Sequence, residues 1–358
     1  MSRTCGWSVQ SLVCGAQVVK PIIIIGGGLA GLTLGVALRR NGLPVTVIEA
    51  GHYPRHRVCG EFISGSGAKV LRHLGIEQAL EGRLRMARDA AFFSSTCLLS
   101  KRSLPDAAYC VSRTVLDTAL SEMFQDSGGE LRTGERCRES ISEEGIVCAM
   151  GRRARAATKD WRWIGLKAHA SNVRLTADLE MHLARNSYVG LCRLPDGETN
   201  ICGLFRRRLN EPLRGRPEDE LRGKPRSPLF HRLKEAQFDR ASVCAVAGLS
   251  LRSEAFDTRQ CRIGDALTMI PPITGNGMSM AFESAQCATA RLVEYARGEI
   301  SWNEATERIA EELRMAFARR LRCAAIIQRI LFSAMGIPAA RLFLRLERTW
   351  NGIFALTR

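Results

Sequence analysis

A run of four isoleucines, Ile22 to Ile25, passes directly into Gly26-Gly27-Gly28-Leu29-Ala30-Gly31. An unbroken apolar run of this length fits a strand buried on both faces of a parallel sheet. The glycines at 26, 28 and 31 have the spacing of a turn that lets backbone approach a diphosphate. A helical run from Leu32 to Arg40 follows, closed by Asn41-Gly42. A second strand, Pro44 to Ile48, ends in Glu49. Strand, glycine turn, helix, strand and acid in this order predict a dinucleotide-binding βαβ unit. Gly26 is expected to make the tight turn, Gly28 to admit the pyrophosphate, and Gly31 to let the helix pack on the strand. Helix N-terminal amides supply donors and partial positive charge to the phosphates. Glu49 is placed to accept ribose hydroxyls, and its charge would repel a 2′-phosphate.

The chain has 358 residues, enough for one large domain or two interleaved ones. Its net charge of +16 comes from arginine, since lysine occurs only seven times. The default reading is arginine spread over solvated faces; the sharper ones are attraction to an anionic membrane surface or to acidic substrates. No zinc-finger spacing, aromatic-basic interleaving or lysine-rich arm points to nucleic acid. Thirteen cysteines at irregular spacing, with no C-x-x-C, form neither a disulfide framework nor a metal site. They read as small buried hydrophobes in a reducing cytoplasm. Residues 1–19 read as an extension without a signal-peptide core. No apolar run reaches the ~20 residues a membrane-spanning helix needs.

Further along, short strands are expected at Ala90 to Phe93 and Tyr109 to Val111, and a helix from Ser112 to about Asp126. Strand-like segments follow at Trp161 to Ala170, Val173 to Met181, Tyr188 to Arg193 and Thr199 to Phe205, the last two joined by a turn at Asp196-Gly197. Residues 206–228 read as surface loop with a short helix, and 242–251 as another strand. Helices and strands alternate at both ends around a strand-rich middle. That implies a nucleotide-binding domain in discontinuous pieces (20–85, 112–160 and 255–300), an inserted antiparallel-sheet substrate domain (86–111 and 161–254), and C-terminal helices over 301–358.

A second landmark is Gly264-Asp265, at the end of a strand Cys261-Arg262-Ile263. Pro272, Gly275-Asn276-Gly277 and a helical run from Met278 to Val293 follow. An acid at a strand end can bind a ribose or ribityl hydroxyl. A proline-glycine loop can press backbone against a flat ring, and a helix beginning at Gly277 aims its positive end there.

With Gly26 to Gly31, Glu49, Pro54 to Ser64 containing Cys59-Gly60-Glu61, Arg113 with Asp117, and Gly264 to Gly277, the chain resembles the FAD-dependent oxidoreductases of the p-hydroxybenzoate-hydroxylase-type fold. Cys59-Gly60-Glu61 resembles most closely the geranylgeranyl-reductase-like branch. The resemblance covers roughly residues 20 to 330. It implies an α/β chain with a discontinuous, Rossmann-like FAD-binding domain of the GR2 type. Ala30, Glu49, Arg113 and Asp265 would hold the adenine dinucleotide and ribityl chain. Cys59 and Gly60 would lie along the flavin edge, and Gly277 and Met278 at the pyrimidine end of the ring. NAD(P)H would serve as transient reductant, since no second fingerprint occurs.

Each residue also has a plain reading: Arg113 as a helix-start arginine, Cys59 as packing, Lys167 and His169 as a salt-bridged sheet face, Tyr188 as core. The sharper reading places Lys167, His169 and Tyr188 on a substrate cavity. Met150 stands where the superfamily often has an acid, and the run Cys137 to Lys159 is short. Tyr188 to Arg193 keeps only the tyrosine of the prenyl-reductase Tyr-x-Trp-x-Phe-Pro motif, and the halogenase Trp-x-Trp-x-Ile-Pro motif is absent. The expectation is therefore hydroxylation of a hydrophobic or phenolic small molecule. Isoprenoid double-bond reduction is the alternative, and a degenerate flavin-free binding protein a further one. No residue is singled out as catalytic. The segment Arg322 to Arg358 alternates apolar patches with arginines. It reads as a terminal helix pair packed on the core or as an interfacial helix docking on the inner face of an anionic membrane.

Overall fold

The computed structural model describes residues 13–14, 17–137, 143–152, 161–211, 215–249, 251 and 259–357. Expectations for residues 1–12, for 153–159 with Arg153 and Lys159, for Ser250 and for Arg358 lie outside them. At the N-terminus, β1 (Val13–Cys14) pairs antiparallel with β2 (Gln17–Val18). The isoleucine run forms β3 (Ile22–Ile25), followed by α1 (Leu29–Arg40) and β4 (Val45–Glu49). The helix begins three residues earlier than the sequence suggests, at Leu29, because Gly28 serves as its N-cap.

The next stretch contains β5 (Phe62–Ile63), α2 (Ser66–His73), α3 (Ile76–Ala79), β6 (Arg85–Phe93) and β7 (Leu98–Cys110). The two short strands expected here are the ends of a long hairpin, whose arginine-rich and exposed stretches hide the period-two pattern. Then come α4 (Arg113–Asp126), capped by the Ser112 side chain on the Val115 amide, β8 (Glu130–Thr133) and β9 (Ile146–Cys148). The middle holds β10 (Trp161–Ser171), β11 (Leu179–Ala184), β12 (Ser187–Arg193) and β13 (Thr199–Arg208). Val173 to Ala177, expected to be strand, is not, and the strand runs on to Ala184. After α5 (Pro217–Arg222) and α6 (Pro228–Leu233), β14 spans Gln237–Ala247, earlier than expected. The C-terminal part has β15 (Cys261–Arg262), α7 (Gly277–Ala296), α8 (Trp302–Leu331), α9 (Gly336–Arg345) and α10 (Glu347–Leu356).

The strands form two main sheets. One is a five-stranded, all-parallel sheet in the order β15-β9-β3-β4-β8. Its strands come from three separate stretches of sequence, as a discontinuous Rossmann-like domain requires. The other has eight strands in the order β14-β10-β13-β12-β11-β6-β7-β5. It is antiparallel except where Leu179–His182 runs parallel to Ala90–Phe93. β5, though close in sequence to the nucleotide-binding unit, pairs with this second sheet.

The parallel sheet is covered by α1, which packs against α4 and α7. Leu32, Leu34, Leu38, Phe124 and Phe282 are fully buried in that layer. Burial of each such side chain contributes roughly 1.5–3 kcal/mol. The far face of the large sheet packs Leu166, Leu191 and Ile201 against Leu221, Leu229 and Leu233 of α5 and α6. Its near face turns toward the parallel sheet and encloses the space described next.

Candidate functional site

The carboxyl ends of β3, β4 and β15 open onto one continuous cavity of about 1240 Å³ that runs under the large sheet to the C-terminal helices. It lies outside the strand ends of an α/β sheet, where such folds place ligands. At the first end it is lined by Gly26, Gly28, Ala30, Glu49, Arg113 and Asp265. Midway it is lined by Cys59, Gly60, Pro272, Gly275, Gly277 and Met278, and the far end includes Tyr188. Two of the expected cofactor-binding glycines, Gly31 of the fingerprint and Gly264 of the second landmark, stand behind it. Gly31 lies under the Gly26 carbonyl, and a Cβ on Gly264 would come within 2.8 Å of the Ala30 Cβ.

The turn works through close approach. Gly26 has φ +109°, and any Cβ there would overlap the Ala149 carbonyl, whose residue pairs with β3 through Ala149 N–H to Ile25 C=O at 2.7 Å. At Gly28, by contrast, nothing stands within 4 Å of the Cβ position, so the backbone is bare toward the cavity. No side chain caps α1 among the described residues, which leaves its first amides free for an anion.

Glu49 sits behind this turn. Its Oε2 accepts the Gly27 amide at 2.8 Å; its Oε1 accepts the Gly51 amide at 2.9 Å and the Arg55 guanidinium at 2.5 Å, with Arg57 at 3.8 Å. Burial pushes the Glu49 carboxyl up, but Arg55, the Gly51 amide and Arg57 outweigh it and hold its pKa down at about 2. The two arginines temper the repulsion that Glu49 alone would exert on a 2′-phosphate. Both lie within Pro54 to Ser64, and no local pattern shows that Arg55 turns back onto Glu49. Tyr53 joins the same knot by donating to the Gly27 carbonyl at 2.5 Å.

Arg113 begins α4 and reaches the cavity, but its fork is already held by Asp117, with Nε and Nη2 each 2.8 Å from a carboxylate oxygen. Burial works against its charge and the adjacent Asp117 carboxylate overrides that, so it stays cationic. Arg57, Arg136 and Arg152 also line this end. Asp265 lies on the 3-10 turn Gly264–Ala266 and has no side-chain hydrogen bond or ion pair with any described residue. Burial raises its pKa, against the pull of Arg152 and Arg113.

Across the cavity, α7 points its N-terminus inward. Nothing lies within 4 Å of a Cβ at Gly277. The N-cap residue Asn276 donates its Nδ2 to the Thr357 carbonyl near the C-terminus, and its buried Oδ1 has no partner among the described residues. Gly275 takes φ +65° and lies against the Phe62 ring.

Beyond α7 the lining is apolar: Phe92, Met181, Tyr188, Leu331, Phe343 and Trp350. Tyr188 is buried in the described core, yet its hydroxyl has no described partner, and burial keeps it neutral by raising its pKa well above the usual value. α9 and α10 close this end. Arg102 donates to the Leu344 carbonyl at 2.6 and 3.0 Å and to that of Arg345 at 2.6 Å, and Trp350 Nε1 donates to Ser103 C=O at 3.1 Å.

Lys167 and His169 are not among the described residues that line the cavity; both are buried in an ion cluster beneath it. Glu61 lies between them, with Oε2 2.6 Å from His169 Nε2 and Oε1 3.3 Å from Lys167 Nζ. Glu61 also accepts the Arg113 amide at 2.9 Å. Lys167 meets His56 Nδ1 at 2.9 Å, and His169 Nδ1 meets Glu198 at 3.2 Å. Burial favours a neutral Glu61, but His169 and Lys167 keep its carboxyl below the usual range. No local pattern marks Glu61 as the centre of this cluster, since Arg113, Lys167 and His169 all lie more than fifty residues away along the chain.

A flavin adenine dinucleotide fits this arrangement. The bare backbone at Gly28, the uncapped start of α1 and the nearby arginines suit a diphosphate. Glu49 and Asp265, which has no partner among the described residues, suit sugar and ribityl hydroxyls. The volume exceeds the roughly 300–1,000 Å³ of ordinary ligand pockets, leaving the apolar end for a second molecule. Ala149 to Arg152 line the cavity beside the diphosphate end, Met150 included.

Comparison with known proteins agrees. Residues 20–159 match the FAD binding domain family. A menaquinone reductase of Mycolicibacterium smegmatis is 26% identical over 118 residues, 32% of this chain and 29% of that protein, so the chain spans under a third of that relative's length. A flavin-dependent halogenase, armH2 of Armillaria mellea, is 23% identical over 84% of this chain and 70% of its own length. Among solved structures, the flavin-dependent brominase Bmp2 superposes with a TM-score of 0.71 at 17% identity, covering 94% of this chain and 92% of that one. The fold is thus shared with flavin-dependent enzymes; nothing in these matches singles out the geranylgeranyl-reductase-like branch.

Proposed function

We propose that this chain, whose N-terminal part is an FAD-binding domain within the p-hydroxybenzoate-hydroxylase-type fold, is an FAD-dependent oxidoreductase that hydroxylates an uncharged hydrophobic or phenolic small molecule, with NAD(P)H as reductant. The observation that carries this reading is the single cavity, charged and backbone-lined at one end and apolar at the other. Bound FAD supplies the redox chemistry, accepting a hydride and passing electrons to oxygen or to substrate.

The residues of the chain do the rest. The α1 amides and Gly28 would hold the diphosphate, Glu49 and Asp265 the hydroxyl-bearing chains, and Gly60, Pro272 and Met278 the ring. The N-terminus of α7 would offer partial positive charge to the negative charge that a bound flavin gains on reduction. The apolar wall excludes water from the reacting region. Tyr188 is a neutral donor in that wall with no partner among the described residues, and is suited to hold one oxygen of the substrate. No disulfide joins the cysteines whose side chains are described, and a reducing compartment such as the cytoplasm is part of this proposal.

Double-bond reduction is the second reading, favoured by Cys59 and Gly60 at the middle of the cavity and by the length of the apolar end. One experiment separates the two. Purified holoprotein is incubated with NADPH or NADH and a panel of phenols, quinones and isoprenoids, with and without air. The proposal predicts products heavier by one oxygen atom, formed only in air. Products heavier by two hydrogens, formed without oxygen, would replace it with the reductase reading. A colourless protein that FAD cannot reconstitute would remove both and leave a binding protein.

A further inference from the structure

We infer that the face formed by the end of α8 with α9 and α10 docks on an anionic lipid bilayer, and that the cavity opens there. Two side chains carry this most directly. Ile326 is 55% exposed and Phe343 39% exposed, yet both line the cavity. They therefore stand at its mouth, and that mouth is rimmed by apolar groups. Next to it Leu342 is 60% and Leu346 58% exposed. Isolated exposed leucines are ordinary, but a cluster around an opening marks an interaction site.

The charge around this cluster selects the occupant. From Met315 to Thr357 the chain has seven arginines and a single acid, Glu347. Arg341, Arg345 and Arg348 are exposed beside Leu342 and Leu346. A shallow groove of about 290 Å³ lies between Ile337, Pro338, Leu342 and the side chains of Arg341 and Arg345, joining guanidinium groups to an apolar floor. Anionic headgroups over acyl chains match both features. A second copy of this chain would bring the same arginines face to face, and nucleic acid would leave the leucines without an apolar partner. No helix among the described residues is long and apolar enough to cross a membrane, so the contact is one of lying on the surface. An uncharged substrate dissolved in the bilayer would then reach the cavity without passing through water; this last step, unlike the docking, rests on the function proposed above.

The test uses full-length holoprotein and no turnover, so its outcome is independent of the reaction. The protein is sedimented with phosphatidylcholine vesicles with and without phosphatidylglycerol. Binding is expected to the anionic vesicles and to weaken as salt is raised. Arg341→Gln, Arg345→Gln and Arg348→Gln together should weaken it about 100-fold. Leu342→Ser with Leu346→Ser should weaken it about tenfold or more, with bound FAD and melting temperature unchanged. Protein that stays in the supernatant with both vesicle types would overturn the inference, as would binding that neither set of variants reduces. A concentration-dependent dimer abolished by the leucine variants would also overturn it, assigning the face to self-association.

Discussion

Glu49 shows how much a single side chain does here. It ties the glycine turn through Gly27, its own loop through Gly51, and the following segment through Arg55. Because its pKa is lowered from the usual 4.5 to about 2, its charged form is favoured by folding. Its contribution is fully present above about pH 4.5 and is lost as pH falls toward 2. That contribution is at most about 3 kcal/mol, and urea titrations in acid should show stability falling over that window. Replacing it by the neutral isostere, Glu49→Gln, should flatten this dependence and weaken FAD by about tenfold or more through loss of charge-assisted bonds to the sugar; fluorescence titration of apoprotein measures the second effect. An unchanged FAD affinity would mean that Glu49 serves only the loop. Residue-scale roles were unevenly legible. The acid at 49 could be read from its place at a strand end. The arginine that neutralises it, and the Glu61 cluster that draws Lys167 and His169 away from the cavity, depend on side-chain directions that no local pattern encodes. Glu61 itself takes φ +58°, an uncommon conformation for a non-glycine residue.

Among the elements, the turn between β3 and α1 is the most tightly constrained. A side chain at Gly31 would drive into the Gly26 carbonyl and toward Ala149. Gly31→Val should therefore lift α1 off the sheet. The expected outcome is a lower melting temperature together with loss of bound flavin, read by thermal denaturation and by absorbance near 450 nm. A variant that stays yellow with unchanged stability would show that the turn has more slack than the structure allows. The same element was the most legible in the sequence, since its glycines, apolar run and closing acid all act within thirty residues. β12 and β13 were legible too, through short runs of apolar residues on either side of the sharp turn at Asp196-Gly197. β11 was misplaced because Val173 and Leu175 look strand-like but pack against α6 and β14 at the sheet edge instead. The long hairpin of β6 and β7 was under-read because most of Arg85 to Asp89 and of Leu98 to Ala107 is exposed or half-buried, with many polar and charged side chains, so burial imposes no clean alternation there.

At the scale of the molecule, the parallel sheet draws strands from residues 22 to 262, and the cavity forms only when α1, α7, the eight-stranded sheet and the C-terminal helices come together. Sequence could announce the two cofactor landmarks, because each is local. It could not show that they share one cavity with an apolar chamber, nor that α9 and α10 wall that chamber. Those are consequences of tertiary packing across most of the chain. The central claim is that the Gly28 and Gly277 ends grip one FAD. Both positions have open space where a Cβ would stand, so an acid can be placed at either without disturbing the fold. The decisive measurement is calorimetric titration of apoprotein with FAD, for the natural sequence and for Gly28→Glu and Gly277→Glu. One FAD per chain, with both variants folded but weakened at least about a hundredfold by charge and crowding, is the predicted result. A variant that binds FAD as tightly as the natural chain would contradict it.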